Sequence, residues 1–446
     1  MNSREIAFEI LYDIFKNGAY SNISLNKHFK KYEIEDADKN LIKEIVFGTI
    51  ERKYTIDYFI SFYIKNKLDN LDLNTLIVLE MGIYQLEYLD KIPNYAVLNE
   101  TVNLAKKVTN LYKSKFINAV LRNFQRKSKK IELPDRNKDF IKYLCIKYSF
   151  PEWIVKRLVK NYPKDKAEKI LIALNEKPEI CFRMNSLKIE KEDFINFLKE
   201  HNIAYKEGYY NEEAFYLKIK DAQSNDLYKK GYIQVQDEAS MLVSKVLSPK
   251  EGDFIIDVCS APGGKTTHIA QLMNNEGTIV AFDVYKHKLK IIEDNCKRLG
   301  IKNVKTELFD ATKINSKYIN KADLVLTDVP CSGIGIIKKK PDIKLKRLSE
   351  QDILNLVEIQ YSILNSSSNY VKVNGFLVYS TCTLGNEENM DIIEKFLNNN
   401  SNFILVDISN ELKNFNNPSL KKGFIQITPD LYPIDGFFIC KMKRIK

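Results

Sequence analysis

The sequence predicts a multidomain chain: an all-α helical bundle, then a small α+β unit, then an α/β domain built on a parallel sheet. Three observations predict it. At 446 residues the chain exceeds what one hydrophobic core usually serves, so two or three domains are expected. Apolar residues recur at helical spacing through the first 128 positions or so. After Gly252, strand-like apolar runs alternate with helical segments, as repeated βα units do.

Composition narrows the function classes. The hydrophobic fraction of 44% and charged fraction of 28% are those of a globular protein. No apolar run approaches the roughly 18 residues of a membrane span. Residues 1–17 lack the pattern of a secretory signal, so a cytoplasmic protein without membrane contact is expected. The seven cysteines are odd in number, far apart and never spaced C-x-x-C, which argues against a disulfide framework and against a zinc site. A cysteine with a special role is then a catalytic one, and no metal is expected. The net charge of +11 favours a partner that carries phosphates.

In the first region Ser3 is placed to cap a helix whose Ile6, Ile10 and Ile14 share one face. Leu76, Leu79, Ile83 and Leu86 repeat at 3, 4, 3 spacing until Pro93. Leu98, Val102 and Ala105, then Phe116, Val120 and Phe124, continue the bundle. The basic run Arg126, Lys127, Lys129, Lys130 followed by Pro134 reads as an exposed joint. From about 135 to 250 the elements are short and mixed: a helix near Trp153 to Lys160, a strand 179–184, a helix 191–201, and strands 214–219 and 232–235.

The last region has strand-like runs at 254–258, 278–284, 304–310, 322–329 and 375–381. Ligands of such sheets bind beyond the carboxyl ends of the strands, so functional residues should follow strands. After the first strand comes Cys259-Ser260-Ala261-Pro262-Gly263-Gly264-Lys265, running into a helix at Thr266 or Thr267. Glycines between a strand and a helix start form a cofactor cradle, because backbone and helix amides can approach the ligand. The spacing fits neither G-x-G-x-x-G nor a P-loop. Asp283 ends the second run, where a carboxylate can accept from ribose hydroxyls; Asp310 ends the third and Asp328 the fourth.

Cys331, in Asp328-Val329-Pro330-Cys331-Ser332-Gly333, and Cys382, in Ser380-Thr381-Cys382-Thr383, also follow strands, and the topology can bring their loops over one pocket. Two thiols suit one particular problem. Carbon-5 of cytosine is too electron-poor to attack a methyl sulfonium until a thiolate adds to carbon-6 and makes it enamine-like. After transfer a base must remove the carbon-5 proton so that the thiolate can leave. One cysteine attacks and the other assists release. Asp328 beside the ring would hold its amino group and a protonated ring nitrogen, and neighbouring lysines would lower the attacking thiol's pKa.

With these residues in view, the chain resembles the bacterial RsmB (Sun/Fmu) family of small-subunit ribosomal RNA cytosine-C5 methyltransferases, within the NOL/NOP/Sun group. The matching stretches are 257–265, Asp283, Asp310, 328–333, 379–383 and the closing Asp435-Gly436-Phe437-Phe438, with Gln236-Asp237-Glu238-Ala239-Ser240 ahead of the first strand. In the bundle they are 82–86, Ile92-Pro93, Asn99-Glu100 and 116–122.

The resemblance implies a NusB-like RNA-binding domain over 1–130, an RRM-like subdomain over 131–248, and a Rossmann-like, class I S-adenosylmethionine-dependent methyltransferase domain over 249–446. Carried over by motif, Cys259, Ser260, Ala261, Pro262, Gly263, Gly264 and Lys265 cradle S-adenosylmethionine. Asp283 takes the ribose, Asp310 the adenine side, and Asp328 lies between cofactor and base. Cys382 is the nucleophile and Cys331 the release cysteine. The expected partner is ribosomal RNA, the expected state a monomer. The same chemistry on another RNA, such as transfer RNA, is the alternative within enzymes; a non-catalytic RNA-binding assembly factor is the alternative outside them. The middle segment shows no aromatic RNP signature. The run Lys338-Lys339-Lys340-Pro341-Asp342-Ile343-Lys344, where relatives often carry Arg-Arg, is expected to present its charge to RNA.

Overall fold

The computed structural model describes residues 2–446 except 66, 128–130, 220, 221 and 223. Lys129 and Lys130 of the basic run lie outside the described residues. The chain forms two compact units: Met1–Asn175 with Ile337–Arg347, and Glu176–Ile336 with Leu348–Lys446.

The first unit is helical, as its apolar spacing requires. Helix Ser3–Asn17 buries Ile6, Ile10 and Ile14. Its cap is Asn2, whose side chain accepts from the Glu5 N–H at 3.0 Å, and not Ser3, whose hydroxyl donates to Asp38. An Asn one residue earlier satisfies the same orphan amide. Helix Leu73–Tyr88 is buried nearly all round, with Ile77, Val78 and Met81 inside besides Leu79 and Ile83. Such a helix is the centre of a bundle, which explains why its apolar pattern is wider than a single stripe. Helices Asp36–Ser61, Asn94–Val108 and Leu111–Lys127 pack with it.

The compact unit runs on past residue 130. Three more helices, Phe140–Tyr148, Glu152–Asn161 and Lys164–Ala173, belong to it. Thr55 Oγ1 donates to the Ile146 carbonyl at 2.5 Å, and Ser149 Oγ accepts from the Tyr54 N–H at 3.1 Å. The apolar residues Ile154, Val155 and Leu158 need a core to cover them, and this is where they are buried.

The segment Ile337–Arg347 also belongs to the helical unit, although it follows the Cys331 loop in sequence. Asp342 accepts from the Ser21 N–H at 3.0 Å and from its hydroxyl at 2.8 Å. Lys344 is 1% exposed; its ammonium donates to the Glu51 carbonyl at 3.1 Å and to Asn175 Oδ1 at 2.8 Å, over the Phe150 ring. Lys344 therefore does not present its charge to RNA as the sequence suggested. A long apolar stem and a polar tip can be buried where carbonyls meet the tip.

The second unit carries two sheets. The smaller, from β1 (Cys181–Met184), β2 (Tyr205–Glu207), β3 (Ala214–Leu217) and β4 (Ile233–Val235), is antiparallel in the order β2-β3-β1-β4. The larger contains β5 (Phe254–Asp257), β6 (Thr278–Asp283), β7 (Val304–Leu308), β8 (Ala322–Asp328) and β9 (Val371–Thr381) in parallel. Three antiparallel strands follow: β10 (Phe403–Leu405), β11 (Phe424–Ile427) and β12 (Phe437–Arg444). The order β10-β12-β9-β8-β5-β6-β7 makes the sheet mixed, not purely parallel. β5 lies between β6 and β8, so the crossover direction reverses there and a crevice opens beyond the carboxyl ends of β5 and β8.

Candidate active site

Three loops converge at that crevice. The first links β5 to helix Gly264–Leu272. Ser260 ties it to β6: its N–H and hydroxyl both donate to the Phe282 carbonyl, at 2.9 and 2.7 Å. The Gly263 N–H closes the turn onto the Ser260 carbonyl at 2.8 Å. Gly263 has φ +97°, a conformation that a side chain would strain, and a Cβ there would press on Ile292 at 3.3 Å. The helix begins at Gly264, ahead of the Thr266 or Thr267 read from sequence.

From below, Arg183 of β1 supports the same turn. This guanidinium is 1% exposed and donates to the Gly264 carbonyl at 2.8 Å, Thr267 Oγ1 at 3.1 Å and Gln271 Oε1 at 3.1 Å, and also to Gln236. The small sheet thus braces the cradle. A buried arginine has no periodic signature, and sequence reasoning missed it.

The carboxylates divide by environment. Asp283, the last residue of β6, is 8% exposed and accepts from the Tyr285 N–H at 2.9 Å, leaving further lone pairs for a ligand. Asp310 lies two residues beyond β7, not at its end. Its Oδ1 accepts from the Thr312 N–H at 3.1 Å and hydroxyl at 2.7 Å, bonds that hold its pKa below the usual carboxylate range. The Phe309 N–H donates to the Asp283 carbonyl at 3.2 Å, bringing the two loops together. Asp257, absent from the sequence-based candidates, is fully buried at the end of β5. Burial pushes its pKa up to about 7, Thr266 Oγ1 donates to its Oδ2 at 2.7 Å, and its Oδ1 has no partner among the described residues. Cys259 is pushed well above the thiol range by burial and by the carboxylates Asp257, Asp328 and Asp283.

Asp328 ends β8 with both oxygens engaged: Lys265 Nζ at 2.8 Å and Ser380 Oγ at 2.7 Å. Burial works against the Lys265 charge, but Asp328, the Cys382 sulfur and Asp257 outweigh it and raise its pKa. A cation is thereby fixed beside Cys382.

Cys331 and Cys382 come together as the sequence reading required. Their sulfurs are 3.3 Å apart, and both residues are partly exposed. The backbone joins the two loops at the Val329 N–H to Ser380 carbonyl bond, 3.2 Å, and the Gly335 N–H to Cys382 carbonyl bond, 3.0 Å. Gly335 also meets Gly436 of the closing Asp-Gly-Phe-Phe stretch, where a Cβ on Gly335 would lie 2.0 Å from the Gly436 carbonyl oxygen. The hydrogen bond shared with Cys382 and then burial push the Cys331 thiol well above its ordinary pKa.

An orphaned buried carboxylate oxygen, a left-handed glycine turn at a helix start and an acid at the end of the next strand fit S-adenosylmethionine, with its charged amino acid end and ribose.

Comparison with known proteins gives the same picture. The family described as 16S rRNA methyltransferase RsmB/F matches residues 244–443, the NusB family matches 1–126, and the RsmF/B-like ferredoxin-like domain matches 150–221. A probable ribosomal RNA small subunit methyltransferase B of Bacillus subtilis (strain 168) is 35% identical over 443 residues, covering 99% of this chain and 98% of its own length. The ribosomal RNA small subunit methyltransferase B of Photorhabdus laumondii is 31% identical over 99% of each chain. Among solved structures, that of PH0851 superposes with a TM-score of 0.83 at 29% identity over 100% of this chain and 99% of its own. That of NSun6 from Pyrococcus horikoshii with SFG gives 0.59 at 26% identity over 67% and 99%.

Proposed function

The chain belongs to the 16S rRNA methyltransferase RsmB/F family, and from that premise we propose that it methylates carbon-5 of a cytosine in small-subunit ribosomal RNA through a covalent bond between Cys382 and the base. The observation that carries this reading is the pair of sulfurs 3.3 Å apart at the carboxyl ends of two adjacent strands. Methylation of an oxygen or an exocyclic nitrogen needs no thiol, and none of the ordinary structural uses of cysteine asks for two partly exposed ones beside an ion-paired lysine. The bundle favours ribosomal over transfer RNA, because the relatives named for small-subunit ribosomal RNA align with this chain through the bundle as well as the catalytic unit.

S-adenosylmethionine, when bound by the 259–265 cradle, Asp283, Asp310 and Asp328, supplies an electrophilic methyl group. Everything else falls to the side chains. The Lys265 cation favours the thiolate of Cys382, which adds to carbon-6 of the base. Asp328 keeps lone pairs beyond those used by Lys265 and Ser380, and these accept from the base's amino group and protonated ring nitrogen. Cys331 stays a thiol while the Cys382 sulfur is free, because that sulfur is the main cause of its raised pKa. Once Cys382 is bonded to carbon this influence weakens; Cys331 gives its own proton to solvent and, as the thiolate, takes the carbon-5 proton so that Cys382 leaves.

Bisulfite sequencing of RNA from a strain lacking the gene tests the assignment. A small-subunit ribosomal cytosine should lose its protection and regain it on complementation. Loss of protection in a transfer RNA, with ribosomal RNA unchanged, would move the substrate.

A further inference from the structure

Each active-site cysteine is followed by a residue bearing a hydroxyl, Cys331 by Ser332 and Cys382 by Thr383, and the two hydroxyl oxygens are 2.6 Å apart. Beneath them lies Glu388, fully buried in the short turn Asn386–Glu388. Its Oε1 accepts from the Ser332 hydroxyl at 2.6 Å, and its Oε2 from the Ser332 N–H at 2.8 Å and from Gln360 Nε2 at 3.0 Å. Since the Ser332 proton goes to the carboxylate, the Thr383 hydroxyl must donate to Ser332. One carboxylate therefore orients Ser332, and through it Thr383. Gln360 also donates to the Pro330 carbonyl at 2.8 Å, holding the other side of Cys331.

We infer that Glu388 is a positioning residue that sets the separation of the two thiols and thereby governs release of the methylated RNA, an inference that rests on the release role given to Cys331. Glu388 holds the residue after Cys331 directly and the residue after Cys382 only through a hydroxyl. The Cys382 loop has other anchors, including Thr381 Oγ1 on Asn389 Oδ1 at 2.6 Å and the strand pairing of β9 with β8 and β12. Disturbing Glu388 shifts Cys331 most. Attack by Cys382 proceeds, and the proton abstraction that frees it suffers.

The test uses the full-length protein with target RNA and S-adenosylmethionine. Glu388→Gln keeps the volume but offers one acceptor oxygen where three donors converge; Ser332→Ala cuts the hydroxyl bridge and spares the carboxylate. Both should bind S-adenosylmethionine in calorimetry as the wild type does. In single-turnover assays both should form the RNA adduct and release it roughly tenfold to a hundredfold more slowly, as the loss of a charge-assisted hydrogen bond implies. A shifted band should then accumulate on denaturing gels. Capture of phenylarsine oxide, which needs both sulfurs at once, should weaken by roughly tenfold in each variant without any RNA present. If Glu388→Gln fails to bind the cofactor, Ser332→Ala decides alone. Wild-type release together with wild-type arsenical capture would overturn the inference. Cys331→Ala run alongside separates the two levels: a band there and none in the other variants sinks only the role of Glu388, whereas no band in Cys331→Ala sinks the release role beneath it.

Discussion

Two lysines, Lys265 in one compact unit and Lys344 in the other, meet opposite treatment. Lys265 in the catalytic unit sits 2.8 Å from Asp328 and is driven further towards its charged form. Lys344 in the helical unit has two oxygens and an aromatic face but no carboxylate within ion-pair distance among the described residues, and burial pulls its pKa down to about 7. The same side chain is an electrostatic device in one place and a packing anchor in the other. What differs is whether a carboxylate stands within ion-pair distance of the ammonium.

Breaking the first lysine should have the largest consequence. Lys265→Met takes the cation away from Asp328 and from beside Cys382, and losing one such fixed electrostatic support costs about 3–4 kcal/mol. Methyl transfer in single-turnover assays should fall by roughly a hundredfold to a thousandfold if that loss is felt in the transition state. A rate within a few-fold of wild type would mean that Lys265 does not support the thiolate. Asp283 stands on the same side of the comparison, a buried acid left open to a ligand. Asp283→Ala should weaken S-adenosylmethionine binding by roughly 1–3 kcal/mol in calorimetry, and unchanged affinity would move the cofactor elsewhere.

Lys344 supplies the contrast through its pH dependence. The folded state releases its proton near pH 7, the unfolded chain near 10.5, so between those values the unfolded state binds more protons and stability rises with pH. Relative to Lys344→Met, the wild type should gain stability as pH is raised from 7 towards 10. Trp153 is the chain's single tryptophan and donates to the Lys346 carbonyl at 2.7 Å, so its fluorescence in urea titrations reports on this segment. A flat difference would mean that Lys344 stays charged when buried. The smallest effect is expected at the start of the helical unit, where Asn2→Ala removes a helix cap and should cost about 1 kcal/mol in the same titration.

The contrast also explains what could be read from sequence. Strand-end residues such as Asp283, Asp328, Cys331 and Cys382 were legible because a βα repeat fixes where strands end and the fold fixes what lies beyond them. Lys344 was not legible: a lysine in a basic run reads as surface, and only tertiary contacts with Glu51, Asn175 and Phe150 bury it. Glu388 and Arg183 escaped for a related reason, since both act through bonds to residues distant in sequence, 28 to 88 positions away. Asp257 was read as the first letter of a motif, yet its burial and orphaned oxygen appear only when β5 is seen inside the sheet. The antiparallel strands β10, β11 and β12 were unforeseen because a buried edge of alternate direction has no signature beyond apolar content.

The account stands or falls on the opposite roles of the two sulfurs. Wild type, Cys382→Ala and Cys331→Ala are each incubated with target RNA and S-adenosylmethionine and run on denaturing gels, where a protein bound to RNA migrates as a shifted band. Cys382→Ala should be inactive and show no band, because without its thiolate carbon-6 gains no adduct. Cys331→Ala should transfer the methyl group, stall before release and accumulate the band. A band with Cys382→Ala in place of Cys331→Ala would reverse the nucleophile, and a band with neither would contradict the division of labour between them.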